Sequence, residues 1–265
     1  MDIQSMLSVP AGALIKTTLV DFPGRVACTF FIKGCNLRCP YCYNGALVHA
    51  DDDTDLVSAD AVMAHLAHRK NVLSGFVMSG GEPLLNPLTP ILIRKARELG
   101  YCIKLDTNGT LPDKLQTFLS DPTLHPDFIA MDIKTAPDKY EHILAPHRET
   151  HIQTAESSSE KLFPDDFSAQ PETYADRLIR SVKLISTYSA DAREFRTVLV
   201  PGLVDTSDID AIAAILPSDA SWQFAQFRNE NCLDPGYNNV EPYLDAQLKE
   251  LVAYAQARIP GAVLR

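Results

Sequence analysis

The sequence predicts an α/β fold organised around a largely parallel sheet. Six short apolar runs recur along the 265 residues: Val26–Ile32, Gly75–Met78, Tyr101–Asp106, Phe128–Ile133, Glu194–Val200 and Trp222–Phe227. Amphipathic stretches with helical period lie between them. One helix between successive strands implies right-handed crossovers, and hence parallel pairing. Six strands are too few for a closed eight-fold barrel. A curved, incomplete barrel and an open sheet both remain open on periodicity alone. No internal repeat is visible.

Each element has a local reason. The run Val26–Ile32 is apolar except for Thr29, as suits a strand buried on both faces. Ser58 can cap a helix that puts Val62, Met63, Leu66 and, near its end, Leu73 on one side. After the second strand, Leu88, Ile91, Leu92, Ala96 and Leu99 repeat with helical period and stop at Gly100. Pro112 suits the first turn of a helix bearing Leu115, Phe118 and Leu119. Tyr174, Leu178, Ile179, Val182 and Ile185 form the next stripe. Ser207 can cap a helix from Ile209 to Leu216, with Pro217 past its end. Leu244, Leu248, Leu251, Val252 and Ala255 mark the last helix, before Pro260.

Composition narrows the function. With 46% apolar residues the chain can bury a substantial core. Its net charge is −10, from 24 basic and 34 acidic residues, which argues against nucleic-acid or anionic-membrane binding. Met1 to Lys16 lacks a basic start followed by an apolar core, and no apolar run approaches a membrane span. The expectation is a cytoplasmic enzyme with no nucleic-acid or membrane partner. The chain is read as a single domain over 1–265 with a polar insertion at about 142–173. The acidic run Asp51–Asp55 reads as a solvated loop, and His142, His147 and His151 in the insertion read as surface rather than a metal site.

Chemistry collects after the strands, where α/β sites form. Cys35, Cys39 and Cys42 follow the first strand, and Ser79-Gly80-Gly81-Glu82-Pro83 the second. Asp106-Thr107-Asn108-Gly109 ends the third, Asp132-Ile133-Lys134 the fourth, and Arg196 lies within the fifth. Three clustered cysteines are one short of a closed structural zinc site and of most electron-carrying clusters. A [4Fe–4S] cluster on three thiolates leaves one iron open to a ligand. Zinc borrowing Cys102 or a histidine, and three unconnected thiols, are the alternatives. Gly80-Gly81 lets backbone groups approach a ligand, and Glu82 adds an anionic acceptor. Asp106 and Asp132 with Lys134 would match an amino-acid zwitterion. Cys28, Cys102 and Cys232 read as structural, and Trp222 as core.

The spacing Cys35-x3-Cys39-x2-Cys42, with Tyr41 inside it, resembles the signature of the radical S-adenosylmethionine superfamily. Thr18 to Gly24, Ser79 to Pro83, Asp106 to Gly109, Met131 to Lys134 and Phe195 to Gly202 resemble glycyl-radical-enzyme activating proteins. The anaerobic ribonucleoside-triphosphate reductase activating group is the most similar, over roughly Lys16 to Asp234.

The resemblance implies a partial (β/α)6 TIM-like barrel. It implies Cys35, Cys39 and Cys42 as ligands to three irons, with S-adenosylmethionine chelating the fourth. Tyr41 would lie near the adenine. Ser79, Gly80, Gly81 and Glu82 would hold the methionyl amino group. Asp106, Asn108, Asp132, Lys134 and Arg196 would surround the rest of the cofactor, with room for a monovalent cation near Asp106, Thr107 and Asp132. Reductive cleavage would yield a 5′-deoxyadenosyl radical that installs a glycyl radical on a partner enzyme. A single cluster implies an external low-potential donor such as flavodoxin or ferredoxin, and anaerobic conditions. Related pyruvate formate-lyase activators carry a His after the sixth strand, where this chain has Gln226-Phe227-Arg228. A small-molecule substrate is the competing expectation, and a non-enzymatic iron–sulfur or zinc protein is disfavoured by the motifs beyond the cysteines.

Overall fold

The computed structural model describes residues 3–48, 56–143 and 172–265. Asp51–Asp55, His147, His151 and nearly all of the polar insertion lie outside the described residues. The strands are β1 (Pro10–Thr18), β2 (Ala27–Ile32), β3 (Val57–Ser58), β4 (Gly75–Gly80), β5 (Cys102–Thr107), β6 (Phe128–Asp132), β7 (Arg193–Leu199), β8 (Trp222–Gln226) and β9 (Ala262–Leu264). The helices are α1 (Ile3–Ser8), α2 (Gly45–Val48), α3 (Ala59–Arg69), α4 (Leu88–Glu98), α5 (Pro112–Ser120), α6 (Tyr140–Ile143), α7 (Tyr174–Ile185), α8 (Thr206–Ala213) and α9 (Asp245–Gln256).

All nine strands join one open sheet in the order β3-β1-β2-β4-β5-β6-β7-β8-β9. The six strands expected from the sequence, β2 and β4 to β8, are consecutive and parallel, and form the incomplete six-stranded barrel. Parallel order follows from the crossovers, because each helix returns the chain to the same end of the sheet. Three strands escaped the sequence reading. β1 pairs antiparallel to β2, and its burial is mixed, so it shows neither a continuous apolar run nor clean alternation. β3 has two residues and β9 three, too short to show a period.

Several helix ends differ from expectation. Ser58 caps α3 by accepting from Ala61 N, but α3 stops at Arg69, and Leu73 is buried from the loop beyond. Asp205, not Ser207, caps α8: its carboxylate accepts from Ser207 N and Asp208 N, and Asp208 reciprocates. A carboxylate suits the positive end of a helix better than a hydroxyl does. Thr173 and Asp176 make a comparable reciprocal cap on α7. Leu244 stands at the N-cap of α9 and is exposed, rather than part of its buried stripe.

The large core packs Phe30, Phe76, Phe195, Trp222 and Phe224 with the helix stripes. Trp222 donates its indole N–H to Thr197 Oγ1 at 3.0 Å, which satisfies its one polar atom in the core. Cys28 is buried in β2, as expected. Among the described residues, no helix is long and apolar enough to cross a membrane.

Candidate cofactor site at the carboxyl ends of the strands

The loop after β2 carries Cys35, Cys39, Tyr41 and Cys42. Cys42 N donates to Cys39 O at 3.0 Å, a turn that folds the loop back on itself. Leu37 N donates to Cys35 Sγ at 3.4 Å. Arg38 Nη1 donates to the carbonyls of Cys35 and Leu37. The loop after β8 braces the other side, through Leu233 N to Cys42 O and Asp234 N to Pro40 O, both at 2.9 Å. All three cysteines are free thiols. Burial pushes the Cys39 thiol up to about 12, with Lys134 opposing and Cys42 and Cys35 adding to the rise. Burial raises Cys35 as well.

Gly80 and Gly81 fasten β4 to this loop. Gly80 has φ +114°, and a Cβ there would meet Ile32 N at 2.3 Å. A Cβ on Gly81 would stand 2.0 Å from Gly34 O. Gly81 N donates to Ile32 O and Glu82 N to Gly34 O, at 2.9 and 2.7 Å. These two N–H groups therefore serve the protein's own backbone. The glycines are required because two chains touch here.

Glu82 is fully buried and braces β4 against β5. Its Oε1 accepts from Leu84 N and Thr107 Oγ1, and its Oε2 from Asn108 N at 2.7 Å. Burial lifts its carboxyl to about 7 despite these three bonds. Asn108 ties β5 to the cysteine loop: its Nδ2 donates to Asn36 Oδ1 at 3.0 Å and lies 3.9 Å from Cys35 Sγ. Asn36 answers by donating to Thr110 Oγ1 at 2.8 Å.

Beside this frame lies a balanced set of charges. β5 contributes Lys104 and Asp106, β6 and its exit Asp132 and Lys134, and β7 Glu194 and Arg196. Each pair is two residues apart, so both members project from the same face. Ser79 Oγ and Arg196 Nη1 donate to Asp106 Oδ2 at 2.8 and 3.2 Å, and Lys104 Nζ donates to Asp106 Oδ1 at 2.8 Å. Arg196 Nε donates to Asp132 Oδ1 at 2.6 Å, and Lys134 Nζ to Asp132 Oδ2 at 2.9 Å. Burial alone would raise both aspartates, but the adjacent cations more than reverse it and hold both below the usual carboxylate range. Burial would likewise lower Lys134 and Arg196, and their carboxylate partners raise them instead.

Tyr41 is buried with its hydroxyl 3.5 Å from Lys134 O, edge-on to Phe227. Lys134 N donates to Tyr140 Oη at 2.7 Å. Two hydrogen-bonded sets thus lie beside the cysteine loop, one of Ser79, Asp106, Asp132, Lys134 and Arg196 and one of Glu82, Thr107 and Asn108, adjoining where Asp106 and Thr107 are neighbours in β5. Cys102 begins β5 and pairs with Gly75, at the opposite ends of the strands from this region. Lys104, Glu194, Asn36 and Tyr140 were not singled out from the sequence. The pattern that marks Lys104 and Glu194 is a charge two residues before another charge in a buried strand.

The donor set fits an iron–sulfur cluster: three unpaired thiols share one short braced loop. Among the described residues, no three or more His, Cys, Asp or Glu side chains are grouped to hold a single metal ion. A four-iron cluster makes a different demand, since each thiolate binds its own iron.

A family model described as the radical SAM superfamily matches residues 29–205. A Methanocaldococcus jannaschii protein provisionally named a glycyl-radical enzyme activating enzyme is 26% identical over 263 residues, covering 95% of this chain and 94% of that one. The pyruvate formate-lyase-activating enzyme of Staphylococcus aureus is 32% identical over 142 residues, which is 50% of this chain and 56% of that protein. Among solved structures, Streptococcus suis SuiB bound to S-adenosylmethionine superposes with a TM-score of 0.54 at 15% identity, over 87% of this chain and 47% of that one. Coproporphyrinogen III oxidase of Escherichia coli gives 0.51 at 13% identity, over 90% and 54%. These two likenesses show the fold.

Proposed function

Because the chain belongs to the radical SAM superfamily, we propose that it is a glycyl-radical-enzyme activase whose partner is an anaerobic ribonucleoside-triphosphate reductase. The observation that carries this reading is the meeting of three free thiols with a neutralised set of carboxylates and cations at one end of one sheet. The full-length likeness to the Methanocaldococcus jannaschii protein supports the activase class.

Cys35, Cys39 and Cys42 would hold the cluster. When bound, the cluster and S-adenosylmethionine supply one-electron cleavage of the S–C5′ bond and a radical able to take hydrogen from a glycine Cα. The chain's own residues orient and enclose. Lys134, anchored by Asp132, presents a fixed cation to the methionyl carboxylate. Ser79, anchored by Asp106, stands beside the segment that would hold the ammonium group. Glu82 acts as the brace beneath that segment, because both its oxygens already accept protein donors. Tyr41 and Phe227 give an aromatic wall suited to an adenine. The cysteines outside the trio are separated in sequence, so electrons come from an external donor of the flavodoxin or ferredoxin kind.

Anaerobic reconstitution with iron and sulfide, followed by S-adenosylmethionine, a reductant and a candidate reductase, tests the reading. A partner-dependent glycyl radical signal in electron paramagnetic resonance is the expected result. Formation of 5′-deoxyadenosine with no radical on any candidate reductase would move the assignment to another substrate. A fully loaded cluster that cleaves no cofactor would overturn it.

A further inference from the structure

The three clustered thiols are not equivalent. Cys35 Sγ accepts from Leu37 N at 3.4 Å and from Asn108 Nδ2 at 3.9 Å. Among the described residues, no hydrogen-bond donor reaches Sγ of Cys39 or Cys42. Leu37 belongs to the cysteine loop itself, whereas Asn108 comes from the exit of β5, 73 positions away in the chain. We infer that Asn108 is a positioning residue that acts on the iron–sulfur cluster through the sulfur of Cys35, its side-chain N–H easing one-electron reduction of the cluster by the external donor. This rests on the cluster reading above.

The fixed orientation of the amide is the first support. Asn108 is 5% exposed, and its backbone N is held by Glu82 Oε2. Its Oδ1 accepts from Thr110 N at 3.0 Å and from Thr110 Oγ1 at 2.6 Å. Its Nδ2 donates to Asn36 Oδ1 at 3.0 Å, and Asn36 Nδ2 donates to Thr110 Oγ1 at 2.8 Å. Asn108, Asn36 and Thr110 thus close a ring in which each side chain donates to the next. A flipped amide would set N–H against Thr110 N–H and oxygen against Asn36 Oδ1, so the ring permits one orientation. An amide nitrogen carries two hydrogens. One serves Asn36, and the other is the one that Cys35 Sγ meets.

Electrostatics is the second support. Reduction adds one electron to a cluster, and part of the new negative charge falls on the ligand sulfurs. An N–H directed at such a sulfur favours the electron-rich state and raises the reduction potential. The bond acts with little competition from water, because Asn108 is buried. One electron passes from the donor to the oxidised cluster, with no bond made or broken and no proton required. Asn108 brings its N–H to this sulfur already oriented, so the electron's arrival requires no rearrangement of the amide.

The test poises reconstituted wild type, Asn108→Ala and Asn36→Ala at one potential with redox mediators, without S-adenosylmethionine. The ratio of reduced to oxidised cluster is read by electron paramagnetic resonance and taken per loaded cluster, so that lower loading does not enter. Asn108→Ala is expected to give a ratio roughly threefold or more below wild type. Asn36→Ala cuts the same tie to the cysteine loop but keeps the Asn108 N–H, which Thr110 still orients. It should stay within about twofold of wild type. A ratio in Asn108→Ala equal to that of wild type would overturn the inference, and so would equal shifts in both variants, which a tether alone would produce. If Asn108→Ala holds no cluster, wild type with isotopically labelled asparagine side-chain nitrogen decides. Hyperfine coupling of that nitrogen to the reduced cluster is expected, and its absence would overturn the inference. Wild type that loads no four-iron cluster would instead overturn the cluster reading, and this inference with it.

Discussion

Arg196 on β7 and Asp132 on β6 are register partners in the sheet, and the guanidinium Nε lies 2.6 Å from Asp132 Oδ1. The same guanidinium reaches across β6 to Asp106 on β5 at 3.2 Å. One fork therefore links three adjacent strands, which a lysine's point charge cannot reproduce. Arg196→Met would leave two carboxylates short of a partner. We expect a loss of about 3 kcal/mol in urea unfolding, somewhat softened because the site is partly open. Arg196→Lys should recover less than half of it.

The cysteine trio predicts a sharp contrast. Cys35→Ala, Cys39→Ala and Cys42→Ala should each abolish formation of a stable four-iron cluster, read by iron and sulfide content and by cofactor cleavage. Cys102→Ala should retain both, because Cys102 starts β5 at the far end of the strand. Loss of the cluster in Cys102→Ala alone would refute the three-ligand assignment.

Glu82 predicts a pH signature. Its folded carboxyl lies at about 7, above the value of 4.5 for an unburied glutamate. Between those values the folded state holds a proton that the unfolded state has lost. The contribution of Glu82 to stability therefore falls as pH rises from about 4.5 through 7. Glu82→Gln has no such titration, but its amide would place a donor against an existing N–H. We expect Glu82→Gln to be less stable by roughly 1–3 kcal/mol at pH 5.5. The gap should narrow by pH 8, as measured in paired urea titrations. A gap that widens with pH would contradict the burial argument.

Gly81 predicts a steric effect that joins folding to metal loading. Gly81→Ala would drive a methyl group into Gly34 O, a backbone atom that cannot rotate away. A cost of about 1–3 kcal/mol is expected, with a lower cluster-loaded fraction because the cysteine loop is displaced. Gly24→Ala is the comparison: unlike Gly81, Gly24 has a positive φ of 71°, but nothing lies within 4 Å of its Cβ position. It should load iron normally.

Much of this was legible in the residues themselves. The six parallel strands stood out because each is a short, mainly apolar run bounded by polar turns, and burial on both faces favours that pattern. The cysteine trio and the polar strand ends stood out because their chemistry is unusual at that spacing. Glu82 shows where reading from sequence stops. Its charge says nothing of its protein partners, while the fold turns both oxygens onto Leu84, Thr107 and Asn108. Ser207 lost the cap of α8 to Asp205 for a similar reason, since only the path of the chain decides which oxygen meets the first free N–H groups.

The sequence by itself determined the order of strands and helices, the end of the sheet at which chemistry gathers, and the three thiols that stand apart from the rest. Those properties follow from local periodicity and from residue type, which neighbours along the chain express. The tertiary structure decided which charge meets which. Lys104 and Glu194 are 90 positions apart by number, yet they share one buried ion pair, because β5 and β7 flank β6 in the same sheet. A buried charge is tolerable only beside its partner, and that partner is chosen by the order of the strands within the sheet and their register, which no stretch of sequence contains.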